Sequence, residues 1–339
     1  MSDTKRTATI AALAGLCVLP FLLGLAFADA SRYYLHLIIQ MLLWAQIYTS
    51  WSLMGRHGLT SLGHGAFTGI GAYTTVMLWN WLGLTPLIGI PLAVAVAVVF
   101  ALLIGYPSFT QRIKGHYFAL LTLAMVEFVR LCIVGLRDYT GGSLGTQPVR
   151  EGDGLSFIAV QFESNRTVAY FIVLILWLTT LWVWKKLDSS MDRYALEAIS
   201  EDEDAAAAVG ISVTREKLKI TAISAALTAL GGAFFAQYQM YVGPETISGL
   251  NVSLGIVFGV VAGGMGVLLG PTVGAIFTQT LSEGLRLFTQ GSDWLTATLG
   301  TRALSLDGVI YGLLLIFFII YMPKGILGTL LDRSKKQRT

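Results

Sequence analysis

The chain has 339 residues, of which 55% are hydrophobic and only 13% charged, with a formal net charge of +3. A soluble domain carries about 25% charged residues, so a water-soluble globular protein is excluded, and nothing in the charge balance calls for a nucleic-acid partner. Apolar runs recur without the polar–apolar alternation of membrane-barrel strands; in lipid their backbone polar groups must be satisfied within each segment, which leaves an all-α, polytopic transmembrane bundle.

Ten such runs follow in order, at 7–28, 33–54, 59–80, 84–105, 115–135, 167–184, 217–239, 247–265, 268–288 and 305–322. Each is close to the roughly 20 residues that cross a hydrocarbon core of about 30 Å. The first follows Lys5 and Arg6 and ends at Ala26-Phe27-Ala28, which matches a signal-peptidase site. It is longer than a signal-peptide core of about 7–15 residues, so a retained span is expected. The third and eighth are glycine-rich and are expected to be broken or re-entrant. Cys17 and Cys132 both fall inside apolar runs, and we read them as small hydrophobes rather than a disulfide.

Orientation follows from the Lys and Arg residues of the loops. With the N-terminus in the cytoplasm and ten crossings, sixteen of the 23 Lys and Arg fall inside, five fall outside, and Arg130 and Arg286 lie within spans. The chain is therefore expected in the cytoplasmic (inner) membrane, with both termini in the cytoplasm. The sequence reads as one transmembrane domain over 1–339, with a charged cytoplasmic loop at 185–216 and a polar extracytoplasmic loop at 136–166.

Within the cytoplasmic loop, Glu201-Asp202-Glu203-Asp204 precedes Ala205 to Val209, and Gly210 closes the stretch. Acids suit a helix N-terminus and glycine its C-terminal cap. Asp204-Ala205-Ala206, then Gly210 and, ten residues on, Ile220 resemble the EAA loop of bacterial ABC-importer permeases. Asp204 stands where that motif has Glu, and its closing Leu-Pro is missing. Arg193, Ala198-Ile199, Gly210-Ile211 and Thr214-Arg215 around it resemble the branched-chain amino acid permease branch. The resemblance implies that Asp204, Ala205, Ala206 and Gly210 form the loop that docks on an ATP-hydrolysing subunit, with Ala205 and Ala206 as a small-residue face.

The run Ser61-Leu62-Gly63-His64-Gly65-Ala66-Phe67 is similar to the Ser-Leu-Gly-Gln-Gly-Ala-Phe signature of the same family, with His64 in place of Gln. Gly65 and Gly69 stand at the spacing that lets helices cross closely. If the helix breaks here, its amides could meet a substrate carboxylate; tight packing is the other reading. Gly255, Gly259 and Gly263 form a second glycine stripe, for packing within the chain or at a dimer seam. Gly115-His116-Tyr117-Phe118-Ala119 and Thr140-Gly141-Gly142-Ser143-Leu144-Gly145 also resemble family stretches, which makes Tyr117 a candidate pathway residue.

Glu127 and Arg130 lie one turn apart in the fifth run, and Glu283 and Arg286 repeat the arrangement in the ninth. Ionisable groups in a bilayer are costly and face a partner or a cavity. Each Glu either neutralises its own Arg or lines a pathway. The four histidines, at 36, 57, 64 and 116, make no metal site, and no cofactor is expected. The chain has no G-x-x-x-x-G-K-[ST], so it lacks the phosphate-cradling loop of a P-loop ATPase.

The resemblance implies a non-enzymatic permease subunit that moves branched-chain amino acids by alternating access. Its implied partners are a second homologous permease, two cytoplasmic ATPases and an extracytoplasmic solute-binding protein. A urea or short-chain amide permease is the near alternative. An ion-driven carrier using Glu127 and Glu283 is the distant one, because Arg neighbours remove the free carboxylates that it needs.

Overall fold

A computed structural model of the chain describes residues 14–24, 31–150, 160–161, 165–291, the pairs 312–313, 316–317 and 320–321, and 325–336. In chain order the helices are α1 (Ala14–Gly24), α2 (Ser31–Gly55), α3 (His64–Leu82), α4 (Pro86–Thr110), α5 (His116–Gly135), the single turn α6 (Arg137–Thr140), α7 (Arg166–Asp188), α8 (Met191–Glu201), α9 (Glu203–Ala208), α10 (Val213–Gln239), α11 (Pro244–Ile247), α12 (Leu250–Gly263), α13 (Gly270–Gly291) and α14 (Gly325–Lys336).

Among the described residues, six helices are long and apolar enough to cross a membrane: α2, α4, α5, α7, α10 and the broken pair α11–α12. The sequence led us to expect about ten. Helix α1 covers only part of the first run, whose Ala26-Phe27-Ala28 end lies outside the described residues. Helices α3 and α13 are long enough, but glycine, threonine and ionisable residues dilute them. The tenth run, 305–322, lies largely outside the described residues. Of the 136–166 loop, 136–150, 160–161 and 165–166 are described; Thr146 pairs antiparallel with Val242, tying the loop to the α10–α11 link.

Helix α10 sits at the centre, packed on α2, α3 and α4, while α2 also carries α7 and α13. Small residues make this possible. A Cβ on Gly71 would collide with the Ala229 carbonyl, and one on Gly232 with the Thr68 carbonyl, so α3 and α10 touch backbone to backbone. The expected stripe on α12 is split. Gly259 and Gly263 abut Gly274 and Gly270 of α13, and Gly259 also meets the Tyr48 ring, but among the described residues a Cβ on Gly255 would meet nothing within 4 Å. Gly255 therefore takes no part in the close crossing of α12 with α13.

Polar groups bind the same helices from inside. Gln46 Nε2 donates to the Leu227 carbonyl at 2.8 Å and to Thr180 at 3.3 Å, while Ser224 donates to the Ser50 carbonyl at 2.7 Å. Interhelical hydrogen bonds of this kind contribute about 0.6–2 kcal/mol each in lipid.

The two ends of the bundle are defined by contacts. At one end Arg56 meets Asp188 at 2.9 Å, joining the C-termini of α2 and α7 beside α8 and α9. At the other, Tyr33 of α2 meets Glu283 of α13, and His36 meets Tyr238 of α10, both at 2.6 Å. Of the two glycine-rich runs, the third is non-helical only over residues 59–63 and then continues unbroken as α3, whereas in the eighth Ser248-Gly249 separates α11 from α12.

Candidate functional site

The charged 185–216 loop folds as two short helices carried on the ends of α7 and α10; α7 itself continues to Asp188. Helix α8 is pinned by Arg193–Glu197 at 2.7 Å, Arg193–Asp188 at 3.5 Å and Lys219–Asp192 at 2.7 Å. Three of the four acids that follow have separate tasks. Asp202 caps α9, accepting from the amides of Asp204 at 2.8 Å and Ala205 at 3.0 Å. Those amide bonds, Ala205's first, hold its carboxyl below the usual range. Glu203 forms a buried ion pair with Lys217 of α10. Asp204 reaches Arg112 beyond the end of α4 at 2.6 Å, in a solvent-exposed pair worth about 0–1 kcal/mol.

Gly210 ends α9 with φ +91°. Its amide donates to the Ala207 carbonyl at 3.0 Å, and that of Ile211 to Ala206 at 3.1 Å, which turns the chain into α10. The expectation of a small face made by Ala205 and Ala206 needs correction. Ala206 is buried, whereas Ala205, Ala207 and Ala208 are exposed and Val209 is 78% exposed. With only six residues, α9 turns one face inward, and Ala206 lies on it. The surface that α9 presents is thus an alanine ridge ending in Val209. Met191 and Tyr194 of α8 are also exposed, and sequence reasoning missed all three apolar side chains. Their signal was apolar residues inside an otherwise charged segment.

Helix α9 stands between two cavities. One, of about 630 Å³, lies against the end of α4 and is lined by Phe109, Glu203, Asp204 and Ala207. The other, of about 650 Å³, is lined by His57, Lys114, Tyr117, Glu201 and Lys217. His57 is 5% exposed, and neither ring nitrogen has a hydrogen-bond partner among the described residues. Burial first, and the Arg56 charge second, bring its pKa down to about 4. Tyr117 is 77% exposed and belongs to this cavity, not to the neighbourhood of His64.

The other candidates on the third run do assemble. Ser61 accepts the Trp51 indole N–H through its carbonyl at 2.6 Å and the Gly63 amide through its hydroxyl at 3.0 Å. His64 is buried, with Nε2 2.8 Å from Ser224 Oγ. Because that hydroxyl donates to Ser50, Nε2 carries the proton toward Ser224. The Gly65 amide donates to Ser253 of α12 at 2.9 Å, and the Thr68 hydroxyl to the Ile247 carbonyl at 2.6 Å. A Cβ on Gly69 would collide with Ser248. The two glycine-rich runs therefore meet each other at Gly65 and Gly69, and each satisfies polar groups freed by the other. Of the two readings of these glycines, tight packing is the one the contacts match.

Both Glu–Arg pairs form, in different places. Glu127 and Arg130 pair on α5 with 3.0 Å between Arg130 Nε and Glu127 Oε2, and Arg130 also reaches Glu245 of α11 at 2.6 Å. Glu283 and Arg286 pair on α13 at 2.6 Å, and the Tyr33 hydroxyl donates to the same Glu283 oxygen. Glu245 and Tyr33 lie 115 and 250 residues from these partners, so no local pattern announces them.

Residues 33–319 match the family described as branched-chain amino acid transport system / permease component. Over 294 residues the chain is 32% identical to the high-affinity branched-chain amino acid transport system permease protein LivM of Salmonella typhimurium and 31% identical to that of Escherichia coli. The match covers 81% of this chain and 65% of each relative, so the chain spans just under two thirds of their length. A probable branched-chain amino acid transport permease protein LivM of Methanocaldococcus jannaschii is 21% identical over 263 residues, covering 75% of this chain and 74% of the relative. No solved structure matches the chain.

Proposed function

The chain belongs to the branched-chain amino acid transport permease family, and from that premise we propose that it is the membrane subunit of an ATP-driven importer of branched-chain amino acids. It is a multi-pass membrane protein. The finer topology in this reading is ten membrane segments in the cytoplasmic membrane, with both termini and α8–α9 in the cytoplasm. The observation that carries the proposal is the exposed α9 ridge, capped by Asp202, turned by Gly210 and fastened to α10 through Glu203 and Lys217. A short, well-held apolar helix on a charged face suits a groove on another protein.

The mechanism is mechanical. Two cytoplasmic ATPases would grip α9 and the same helix of a second, homologous permease. Their closure on ATP would move α9; the buried Glu203–Lys217 pair passes that motion to α10. Because α10 touches α3 through backbone at Gly71 and Gly232, it carries α3 with it rather than sliding past. The chain performs no covalent step in this scheme, and ATP hydrolysis belongs to the partner subunits. An extracytoplasmic binding protein would deliver the solute to the end that carries Tyr33 and Glu283, where Thr146 of the 136–166 loop also lies against Val242.

The test is reconstitution of the tagged chain with its co-purifying subunits in proteoliposomes. ATP-dependent leucine uptake, stimulated by a loaded binding protein, is the expected result. Uptake of urea or an amide in place of leucine would move the assignment to the amide permeases. Uptake driven by an ion gradient with no ATPase present would overturn it.

A further inference from the structure

The end of the bundle opposite α9 holds a cavity of about 280 Å³ between α2, α10 and α13. Its volume lies just below the range of about 300–1,000 Å³ of drug-sized sites, so it suits a smaller solute. Leu37, Trp44 and Phe235 make up its apolar lining, and the last two rings meet edge-on with centroids 5.9 Å apart. Among them the Glu283–Arg286 pair and carboxamides from Gln40, Gln239 and Gln279 also line it. The Tyr33 hydroxyl, from the same lining, donates to the Glu283 carboxylate at 2.6 Å.

We propose that this cavity is a solute subsite for a neutral α-amino acid with an aliphatic side chain. This deepens the importer reading and rests on it for the direction of transport. A zwitterion carries one positive and one negative group on adjacent atoms, and the cavity offers one carboxylate and one guanidinium from a single helical turn. The ammonium group faces Glu283 and the Gln carbonyl oxygens. The carboxylate faces the Arg286 charge, and the aliphatic chain lies on Leu37, Trp44 and Phe235. Net charge in the cavity stays unchanged on binding, which matters where desolvated charge is costly. A solute with only one of the two charges leaves the other side of the pair uncompensated. Sites built this way discriminate strongly against analogues lacking a required group.

The experiment uses the full chain, purified with the subunits that accompany it and placed in lipid nanodiscs without binding protein. Leucine, isoamylamine and 4-methylpentanoate are titrated separately by calorimetry. Leucine is expected to bind at least about tenfold more tightly than either half-analogue, the factor that 1.4 kcal/mol represents. The Glu283→Gln/Arg286→Gln double variant removes both charges together and orphans neither; it should lose leucine binding. Leu37→Trp fills the cavity from its apolar lining, leaves the ion pair intact and should lose it too, which keeps the test meaningful if the double variant fails to fold. Equal binding of leucine and its half-analogues, no leucine binding by the parent chain, or full binding by Leu37→Trp would overturn the proposal. Leucine transport by proteoliposomes whose protein binds no leucine in this cavity would sink the subsite and leave the importer. Leucine binding here without ATP-driven transport would do the reverse.

Discussion

Lys217, on the second turn of α10, and Glu203, on the first turn of α9, form an ion pair whose side chains are 4% and 11% exposed. Lys217 Nζ also lies 5.6 Å from the centre of the Phe109 ring. The pair joins the short exposed helix α9 to the central α10, with both side chains largely buried.

Lys217→Met alone leaves Glu203 buried without a partner, which should cost about 3–5 kcal/mol. The Glu203→Leu/Lys217→Met double variant should recover most of that loss, because two packed apolar groups replace a desolvated pair. Thermal unfolding in detergent measures both. A single variant as stable as the parent would show that the pair is hydrated in solution.

At Gly210 the backbone sits at φ +91° with nothing within 4 Å of a Cβ position. Substitution there acts through backbone strain alone. Gly210→Val should cost about 1–2 kcal/mol locally, disturb the α9–α10 turn and abolish uptake while membrane insertion stays normal. Gly210→Asn, which tolerates the left-handed region better, should retain part of the activity. Normal uptake by the valine variant would count against α9 as the docking element.

His57 makes stability depend on pH. Its folded pKa of about 4 lies below the ordinary 6.5, so the folded protein holds the neutral ring. Above pH 6.5 both states are neutral and the residue contributes no slope. Between 6.5 and about 4 the unfolded chain binds a proton that the folded chain refuses, and stability falls by at most about 1.4 kcal/mol per pH unit. Unfolding midpoints measured across this window should drop with acidification, and His57→Gln should flatten the dependence. An unchanged profile in the variant would assign the acid sensitivity elsewhere.

Gly232→Leu drives a side chain into the Thr68 backbone and should cost about 1–3 kcal/mol or more through overpacking. Gly255→Ala, where a Cβ meets nothing within 4 Å among the described residues, should be neutral in the same melting assay. Equal behaviour of the two variants would refute the backbone contact between α3 and α10.

Several features of this protein were readable without coordinates because their causes are local. Runs of apolar residues make helices in lipid wherever they occur. The acids before Ala205 and the glycine after Val209 mark the ends of α9 by capping chemistry. Glu127 with Arg130, and Glu283 with Arg286, pair because three residues make nearly one helical turn. The non-helical entries to the two glycine-rich runs were also signalled, at residues 59–63 before α3 and at Ser248-Gly249 between α11 and α12, whereas Gly65, Gly69 and Gly71 lie in continuous helix.

What tertiary structure alone decided is which of these features meet. Gly65 and Gly69 could have faced a solute or another helix; packing placed Ser253 and Ser248 against them. Glycine spacing on α12 does not say that Gly259 has a neighbour and Gly255 has none among the described residues. Ala206 points inward because α9 is too short to hide one face any other way. Glu245, Tyr33 and Lys217 are recruited from other helices, and pairing across such distances leaves no periodic trace. Segment identity follows from hydropathy along one chain, whereas a site follows from distances between chain segments, and only folding sets those.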